Sequence, residues 1–272
     1  MKIKNTKTRM MRAALYIVLI VLAFLMLVPF AWMLSASFKL DKDVFIFPIQ
    51  WIPTNPRWQN YVDIWTRIPL LKFVLNTVKL TLIVTFLQLL TSSFAAYAFS
   101  KLNFKGKHVL FLAYIATIAV PWQVYMVPQF MMMRSMGLAD THLAIICLQA
   151  FSAFGVFMMR QFYQGIPDEL CEAARIDGAN KWREFLHVTM PSIKGTVILC
   201  LLLRTIDSFR MFDKVNVLTQ GGPANTTSTI TQYIYTYGIK SLDFGFGSAG
   251  AVVMAVLVLV LAEGLFLYYS YN

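Results

Sequence analysis

The chain has 272 residues, of which 58% are hydrophobic and only 14% are charged, whereas an ordinary soluble domain carries about 25% charged residues. This composition argues against a soluble fold and favours a protein solvated by lipid. The net charge of +11 is not gathered into a basic patch with interleaved aromatic residues, so we expect no nucleic acid as a partner. The excess positive charge instead suits contact with anionic lipid headgroups.

Six apolar runs are long enough to cross a bilayer, which takes about 20 residues at a rise of about 1.5 Å per residue. The first run follows a basic segment and resembles a secretory signal, but it exceeds the apolar region of a signal, which spans about 7–15 residues. We therefore predict an all-α integral membrane protein with six transmembrane helices, the first of them uncleaved. Pro121 and Pro128 predict a kink in the third span. The predicted spans are Ala13–Leu34, Phe73–Ser100, His108–Met133, Thr141–Met159, Ser192–Phe212 and Phe246–Tyr269.

The distribution of basic residues predicts the orientation. The segments on the same side as the N-terminus hold 13 Lys and Arg residues, against 8 in the longer segments on the other side. Because cytoplasmic loops carry the excess of Lys and Arg, we predict that both termini are cytoplasmic. The expected organisation is a cytoplasmic N-terminus over residues 1–12 and one transmembrane domain over residues 13–270, which contains a cytoplasmic loop at 162–191.

The most polar stretch of the chain, CEAARIDGANKWREFLHVTMP, lies in that loop and predicts two short helices. Pro167 suits the first helical position, Gly178 suits a left-handed C-terminal cap, and Asn180 suits the N-cap of the second helix. One interpretation is an amphipathic segment that lies on the membrane surface. We favour a helix that docks on protein, because its polar side is acidic or mixed and its apolar side carries the small residues Ala173 and Ala174.

The stretch resembles the EAA loop of ABC importer permeases, whose pattern is Glu-Ala-Ala, three residues, Gly, nine residues and Ile-x-Leu-Pro. Here Glu172-Ala173-Ala174 is followed by Gly178 and, nine residues later, by Val188-Thr189-Met190-Pro191, with Val188 and Met190 as conservative departures. The resemblance implies the MetI-like permease fold and a loop that docks on a cytoplasmic ATP-binding subunit. It assigns the docking and turn positions to Glu172, Ala173, Ala174, Asp177, Gly178 and Pro191.

The resemblance also implies the partners of the chain: a cytoplasmic ABC ATPase dimer, a second permease subunit that completes a heterodimer, an extracytoplasmic solute-binding protein and the lipid bilayer of the bacterial cytoplasmic membrane. ATP hydrolysis is expected in the ATPase, since the sequence has no G-x-x-x-x-G-K-[ST] loop and no nucleophile, base or metal constellation. The three Cys and three His residues are scattered without metal-ligand spacing. We therefore predict no enzyme activity and no cofactor for this chain.

Two further strings bear on the cargo. GIPDELCEAARIDGA and the segment Asn76–Lys107 resemble the carbohydrate-uptake, maltose-type group of permeases, in which this chain would form half of a translocation pathway for a sugar. Phe212–Thr227 resembles the first-type subunit of the maltose-like pairs, whereas the preceding chain resembles the second-type subunit, so both positions remain open. The alternatives are a permease for another small polar solute such as glycerol phosphate, a non-transporting membrane receptor or partner subunit, and an intramembrane enzyme. The last would need paired carboxylates or a Ser/His pair, which the sequence does not offer.

The fifth predicted span carries charged residues at three-residue intervals: Arg204, Asp207 and Arg210. Because a charge inside a span costs about 2.5–3.5 kcal/mol, such residues usually face the bundle interior or a watery cavity. One interpretation is that these charges simply pair with each other. The other is a polar wall of the translocation path, whose groups hydrogen-bond to sugar hydroxyls. Weaker candidates for the path are Gln149, Ser152 and Asn216.

Overall fold

The computed structural model describes residues 3–271, and every regular element in that range is helical. Besides the α-helices, this range has a 3-10 turn at Thr117–Ala119 and two π-helical turns, at Phe185–Thr189 and at Ile234–Lys240. The α-helices are α1 (Ile3–Ser37), α2 (Asp41–Val44), α3 (Gln59–Thr66), α4 (Leu70–Lys101), α5 (Lys107–Ala116), α6 (Trp122–Ser135), α7 (His142–Gln149), α8 (Ala153–Gln164), α9 (Asp168–Ile176), α10 (Lys181–Glu184), α11 (Met190–Ser192), α12 (Lys194–Phe209), α13 (Asp213–Leu218), α14 (Ile230–Tyr233) and α15 (Phe244–Tyr271).

Three predicted spans, the first, second and sixth, form single long helices. They are α1, α4 and α15, and each contains an apolar window long enough to cross a membrane. The 32 residues of α4 extend over about 48 Å at about 1.5 Å per residue, which exceeds the hydrocarbon core of about 30 Å. The structure therefore has at least three apolar spans within its described range.

Two of the other predicted spans are broken. The third consists of α5 and α6, which meet at an angle of 99°. The fourth consists of α7 and α8, which are bent by 40°. The fifth is the single helix α12, and a bend of 71° at its start separates Val197–Phe209 from the preceding segment Trp182–Ser192. If each bent pair counts as one span, the described part of the chain has up to six.

The predicted kink in the third span is a full break at Pro121. This residue has ψ 139° and is the N-cap of α6. Because proline has no backbone N–H to donate, the chain turns there instead of continuing the helix. Pro128 lies inside α6 and does not end it.

The break in the fourth span was not predicted from the sequence. Ser152 ends the interruption, and its hydroxyl accepts a hydrogen bond from the backbone N–H of Gly155 at 3.1 Å. The hydroxyl thus satisfies one of the free N–H groups that every helix has at its start. The region predicted as one helix over Thr141–Met159 is therefore two helices with separate ends.

Side chains of α4 donate hydrogen bonds to the backbone carbonyls that have no helical partner at this break. The Gln88 Nε2 donates to the Gln149 carbonyl at 2.6 Å, and the Thr91 Oγ1 donates to the Ala150 carbonyl at 2.7 Å. Irregular backbone at membrane depth is tolerated where neighbouring protein groups satisfy it. Helix α4 therefore satisfies backbone groups that the break in the fourth span would otherwise leave without hydrogen bonds in lipid.

The chain divides into two compact units. The first comprises the residues up to Leu70 together with Tyr233–Ala255. Within it, the Asn60 side chain donates to the backbone carbonyls of Ser37 and Lys39 at 2.9 and 3.0 Å. These bonds fasten α3 to the end of α1.

The second unit comprises Leu71–Gln232 together with the chain from Val256 onward. Helices α4 and α8 approach each other closely in it, since a Cβ added at Gly155 would lie 2.5 Å from the Ser92 Oγ. Small residues at such crossings let helix backbones approach in a membrane. One hydrophobic cluster of this unit contains Ala96, Phe111, Val156, Met159, Tyr163, Ile166, Cys171, Ile193 and Cys200. Another contains Leu80, Val84, Met133, Ala144, Ile145, Met211, Val215 and Leu218.

Candidate functional site

The polar loop is two short helices, α9 and α10, joined at Gly178. Gly178 has φ +82°, its N–H donates to the Arg175 carbonyl at 3.1 Å, and the Ala179 N–H donates to the Ala174 carbonyl at 2.9 Å. These two bonds form a Schellman motif, which closes a helix with a left-handed residue. The left-handed cap predicted at Gly178 is confirmed, and a residue with a side chain costs about 1–2 kcal/mol in that conformation.

The predicted N-cap of the second helix is also confirmed. The Asn180 Oδ1 accepts from the Arg183 N–H at 2.8 Å. Pro167 lies at the N-cap of α9, one residue before the first helical position at which we predicted it. The helices of the polar loop therefore begin and end at, or within one residue of, the positions that the capping residues predict.

An ion pair that sequence reasoning missed joins the two helices across this turn. The Arg175 Nε donates to the Glu184 Oε2 at 2.8 Å and the Arg175 Nη2 donates to Oε1 at 3.1 Å. Glu184 is only 4% exposed, so the carboxylate lies beneath the guanidinium. A bidentate pair of this kind fixes direction as well as distance, and it holds α9 and α10 at one angle.

The inner face of the loop packs against α4 and α8. The Phe185 ring lies edge-on to the Tyr97 ring with centroids 6.0 Å apart, and Tyr97 in turn contacts Tyr163 of α8 at 5.8 Å. Cys171 is buried on this face, and burial together with its hydrogen bond to Glu184 raises the pKa of the thiol. The thiol is therefore a packing group with little thiolate character.

The predicted docking residues lie mainly on the outer face of the loop. Glu172 and Ala173 of α9 and Asp177 at its C-cap are exposed, and Ala174 is half-buried. Ile176 is 86% exposed and adds an apolar side chain to this face. Pro191 lies apart from them, in α11, where it is also exposed.

The structure brings the three charged residues of the fifth span together. The Asp207 carboxylate lies between two guanidinium groups, 3.8 Å from Arg204 and 2.8 Å from Arg210. The Arg204 side chain is 16% exposed and lies over the Phe154 ring, 5.3 Å from its centroid. Arg210 is the C-cap of α12, so the helix ends before the predicted limit at Phe212.

The three weaker candidates do not join this cluster through any hydrogen bond or ion pair among the described residues. Gln149 ends α7 and Ser152 caps α8, so both lie at the break in the fourth span. Asn216 lies on α13, where its Oδ1 accepts from the Gln232 Nε2 at 3.2 Å. The hydroxyl of Ser152 is thus occupied in capping a helix.

A cavity of about 500 Å³ lies where the breaks of the third and fourth spans meet. Four of its eight lining residues are aromatic, and Arg204 lies over one of them, Phe154. Ligand sites are commonly apolar and aromatic with a few polar groups that orient the ligand. Within the described residues, no group of three or more His, Cys, Asp or Glu could hold a metal. The cavity is lined by Tyr114, Thr117, Ile118, Val120, Tyr125, Phe151, Ala153 and Phe154.

Comparison with known families decides what kind of protein carries these features. Residues 88–269 match the family described as "Binding-protein-dependent transport system inner membrane component". The chain belongs to this family. The match includes the loop, the charged cluster and the cavity, and it confirms the resemblance inferred from the sequence. As the family consists of inner-membrane transport permeases, the chain is a membrane permease component.

Relatives of this permease are similar along most of its length. It is 27% identical to the diacetylchitobiose uptake system permease protein NgcG of Streptomyces coelicolor, over 93% of this chain and 84% of that protein. It is 31% identical to the lactose transport system permease protein LacG of Rhizobium radiobacter, over 66% of each chain.

A solved structure shares the fold. A bacterial ABC transporter involved in the import of the acidic polysaccharide alginate contains a chain that superposes with a TM-score of 0.78 at 20% identity, over 97% of both chains. The predicted MetI-like permease fold is therefore confirmed.

Proposed function

We propose that this chain is the transmembrane permease subunit of an ATP-driven saccharide importer in a bacterial cytoplasmic membrane. Relatives named for diacetylchitobiose and lactose support a saccharide as the cargo, and the family description supports delivery of cargo by a binding protein. The remaining partners are a cytoplasmic ATPase dimer and a second permease that completes the pathway. The chain crosses the bilayer six times with both termini in the cytoplasm, as its Lys and Arg distribution favours.

The observation that carries the proposal is the two-helix loop. It presents Ala173 and Ile176 on an exposed face, while its inner face is tied to α4 through Phe185 and Tyr97. A rigid body with one face packed on the transmembrane helices and the other free can pass a movement of a docked subunit to those helices. We assign the docked subunit as the ATPase.

The cargo path includes the charged cluster of α12 and the aromatic cavity beside it. Aromatic rings offer flat apolar surfaces, and Arg204 and Asp207 offer hydrogen-bond donors and acceptors to hydroxyl groups. Charges at this depth are expensive unless they face a cavity or each other. The internal pairing through Asp207 and a role in the path are compatible, since Arg204 also borders the cavity.

Two substitutions in the loop test the proposed coupling role. Glu172→Lys and Gly178→Asp are expected to abolish co-purification with the ATPase or to uncouple hydrolysis from transport, because they change the docking face and the backbone turn. Lys105→Glu, an exposed reversal in the preceding loop, serves as the control. Normal co-purification together with normal transport-linked hydrolysis in both loop variants would contradict the role.

A further inference from the structure

Lys214 of α13 is a partly buried ammonium group on which the neighbouring Asp213 acts electrostatically without forming a salt bridge. Its Nζ lies over the Trp122 ring, 5.9 Å from the centroid, and it makes no hydrogen bond or salt bridge to any other residue that the structure describes. Burial, followed by the nearby charge of Arg204, lowers the pKa of Lys214 to about 8. A partly buried cation without a salt bridge lowers the stability of the fold. Its presence here therefore indicates a functional role.

Two observations relate Lys214 to the cavity between the broken spans. Trp122, on which the ammonium rests, follows directly on the break at Pro121 and lies between the cavity residues Val120 and Tyr125 in the chain. Arg204 acts electrostatically on Lys214 and lies over Phe154, another cavity residue. Each of these two cations therefore rests on an aromatic ring that either lines the cavity or follows it closely in the chain.

The charges between positions 204 and 214 do not cancel. Three cations, those of Arg204, Arg210 and Lys214, stand against two carboxylates. Asp207 is engaged by both arginines, whereas Asp213 is exposed to solvent and acts on Lys214 only electrostatically. One positive charge is thus left over, and Lys214 is the cation of the three that has no salt bridge to a described residue.

We infer that Lys214, which lies over Trp122, binds an anionic group of the cargo, so that the imported saccharide is acidic and carries a carboxylate, sulfate or phosphate. The inference rests on the proposed function and names the substrate class for it. The ammonium donates hydrogen bonds to the anion, and such charge-assisted bonds are about twice as strong as neutral ones. The cavity rings contact the apolar face of the sugar.

The test measures uptake by the complete importer, with its ATPase, partner permease and binding protein, in liposomes. The probes are oligosaccharides that carry carboxylate, sulfate or phosphate groups, each with its neutral counterpart, such as a uronate oligosaccharide and its methyl ester. The wild type is expected to import an acidic member. Lys214→Met is expected to lower the ratio of acidic to neutral uptake by about tenfold or more, the effect of losing one charge-assisted hydrogen bond.

Matched variants separate the cargo site from other roles of a lysine. Lys214→Arg keeps the cation and is expected to keep acidic uptake. Lys240→Met makes the same change at an exposed lysine that also lies over an aromatic ring, Tyr235, at 5.4 Å, and is expected to leave the ratio unchanged. The binding protein is the same in every assay, so its own selectivity cancels between variants.

Three outcomes would overturn the inference. Uptake confined to neutral members would show that the cargo is not acidic, while leaving the importer role intact. An equal fall of acidic and neutral uptake in Lys214→Met would assign Lys214 to structure or to a lipid phosphate, because a lipid ligand does not depend on the charge of the cargo. Failure of every saccharide to be imported, with hydrolysis still coupled to the permease, would refute the saccharide cargo of the proposed function itself.

Discussion

Gly178 and the Arg175–Glu184 ion pair fix the two-helix loop by different physical means. The glycine accepts a left-handed backbone at φ +82°, which sets where α9 stops. The ion pair joins side chains nine positions apart, which sets how α10 is held against α9. A substitution can therefore remove the second constraint while the backbone turn remains.

Arg175→Met tests the ion pair. It removes the bidentate guanidinium bonds to the buried Glu184 carboxylate, and breaking a buried ion pair by removing one partner is destabilising. We expect transport-linked ATP hydrolysis to fall about fivefold or more, the lower range of typical coupling between sites. The double variant Arg175→Met/Glu184→Met removes both charges and is expected to recover much of the coupling, as apolar replacements of buried pairs often do. Equal losses in the single and double variants would contradict a positioning role.

The pKa of Lys214, about 8, predicts how uptake of an acidic probe depends on pH. The ammonium is present below that value and is lost as pH rises through it, so acidic uptake should fall between pH 7 and pH 9 relative to neutral uptake. Of the described residues, the charges acting on Lys214 are those of Arg204 and Asp213, while α6 contributes the neutral Trp122 ring. Lys214→Arg should flatten the profile, since arginine stays charged. A profile that is unchanged in Lys214→Arg would assign the titration elsewhere.

Helix α4 carries a row of buried polar residues through an otherwise apolar span. The row includes Thr77, Thr81, Thr85, Gln88 and Ser92, at spacings of three or four that keep them on one face. Some of these groups bond to neighbouring elements, as Gln88 does. Others, such as the hydroxyl of Thr85, have no hydrogen-bond partner among the described residues. The row therefore mixes groups that stabilise the bundle with groups that do not.

Two isosteric changes on α4 distinguish these kinds of residue. Thr91→Val removes the donor to the Ala150 carbonyl and is expected to lower the free energy of unfolding by about 1–3 kcal/mol, the cost of leaving a buried acceptor unsatisfied. Thr85→Val removes a hydroxyl that lacks a partner and is expected to be neutral or stabilising. Thermal unfolding of the purified permease in detergent measures both. An equal loss of unfolding free energy in both variants would show that the hydrogen bond to Ala150 does not account for the stability that Thr91 contributes.

The sequence predicts continuous helices better than it predicts their breaks. Helices α1, α4 and α15 follow from uninterrupted apolar runs, because length and hydropathy report them directly. The break at Pro121 had a local signal, since proline lacks an N–H. The break before Ser152 had only a hydroxyl that also fits a helix interior, and what stabilises it, the pair Gln88 and Thr91, is remote in the chain.

The candidate site likewise has features that the sequence predicts and features that it does not. Gly178 and Asn180 were predictable because caps act within a few residues. The pairing of Arg175 with Glu184 and the placement of Lys214 over Trp122 depend on tertiary folding, for which the sequence carries no periodic signal. The family motif located the loop, and the structure was needed to find what holds it rigid.

At the scale of the whole permease, the proposed roles of the charged cluster of α12 and of the two-helix loop are separable. Arg204→Ala and Asp207→Ala are expected to lower uptake about tenfold or more, because Asp207 orders two guanidinium groups, that of Arg204 through an ion pair and that of Arg210 through a hydrogen bond. Co-purification with the ATPase should persist, since the docking face is untouched. Arg134→Ala, at an exposed arginine of α6, is the control. Wild-type uptake in both α12 variants would exclude the cluster from the path.

The hydrogen bonds from α4 to the fourth span impose an order on biosynthesis. Gln88 precedes its acceptor at Gln149 by 61 residues, which a ribosome adds in about 3–12 s at about 5–20 residues per second. During that interval the amide is in a membrane helix whose partner does not yet exist. A chain that stops before Gln149 therefore lacks this acceptor, and the hydrogen bond between α4 and the fourth span forms only after that span has been made.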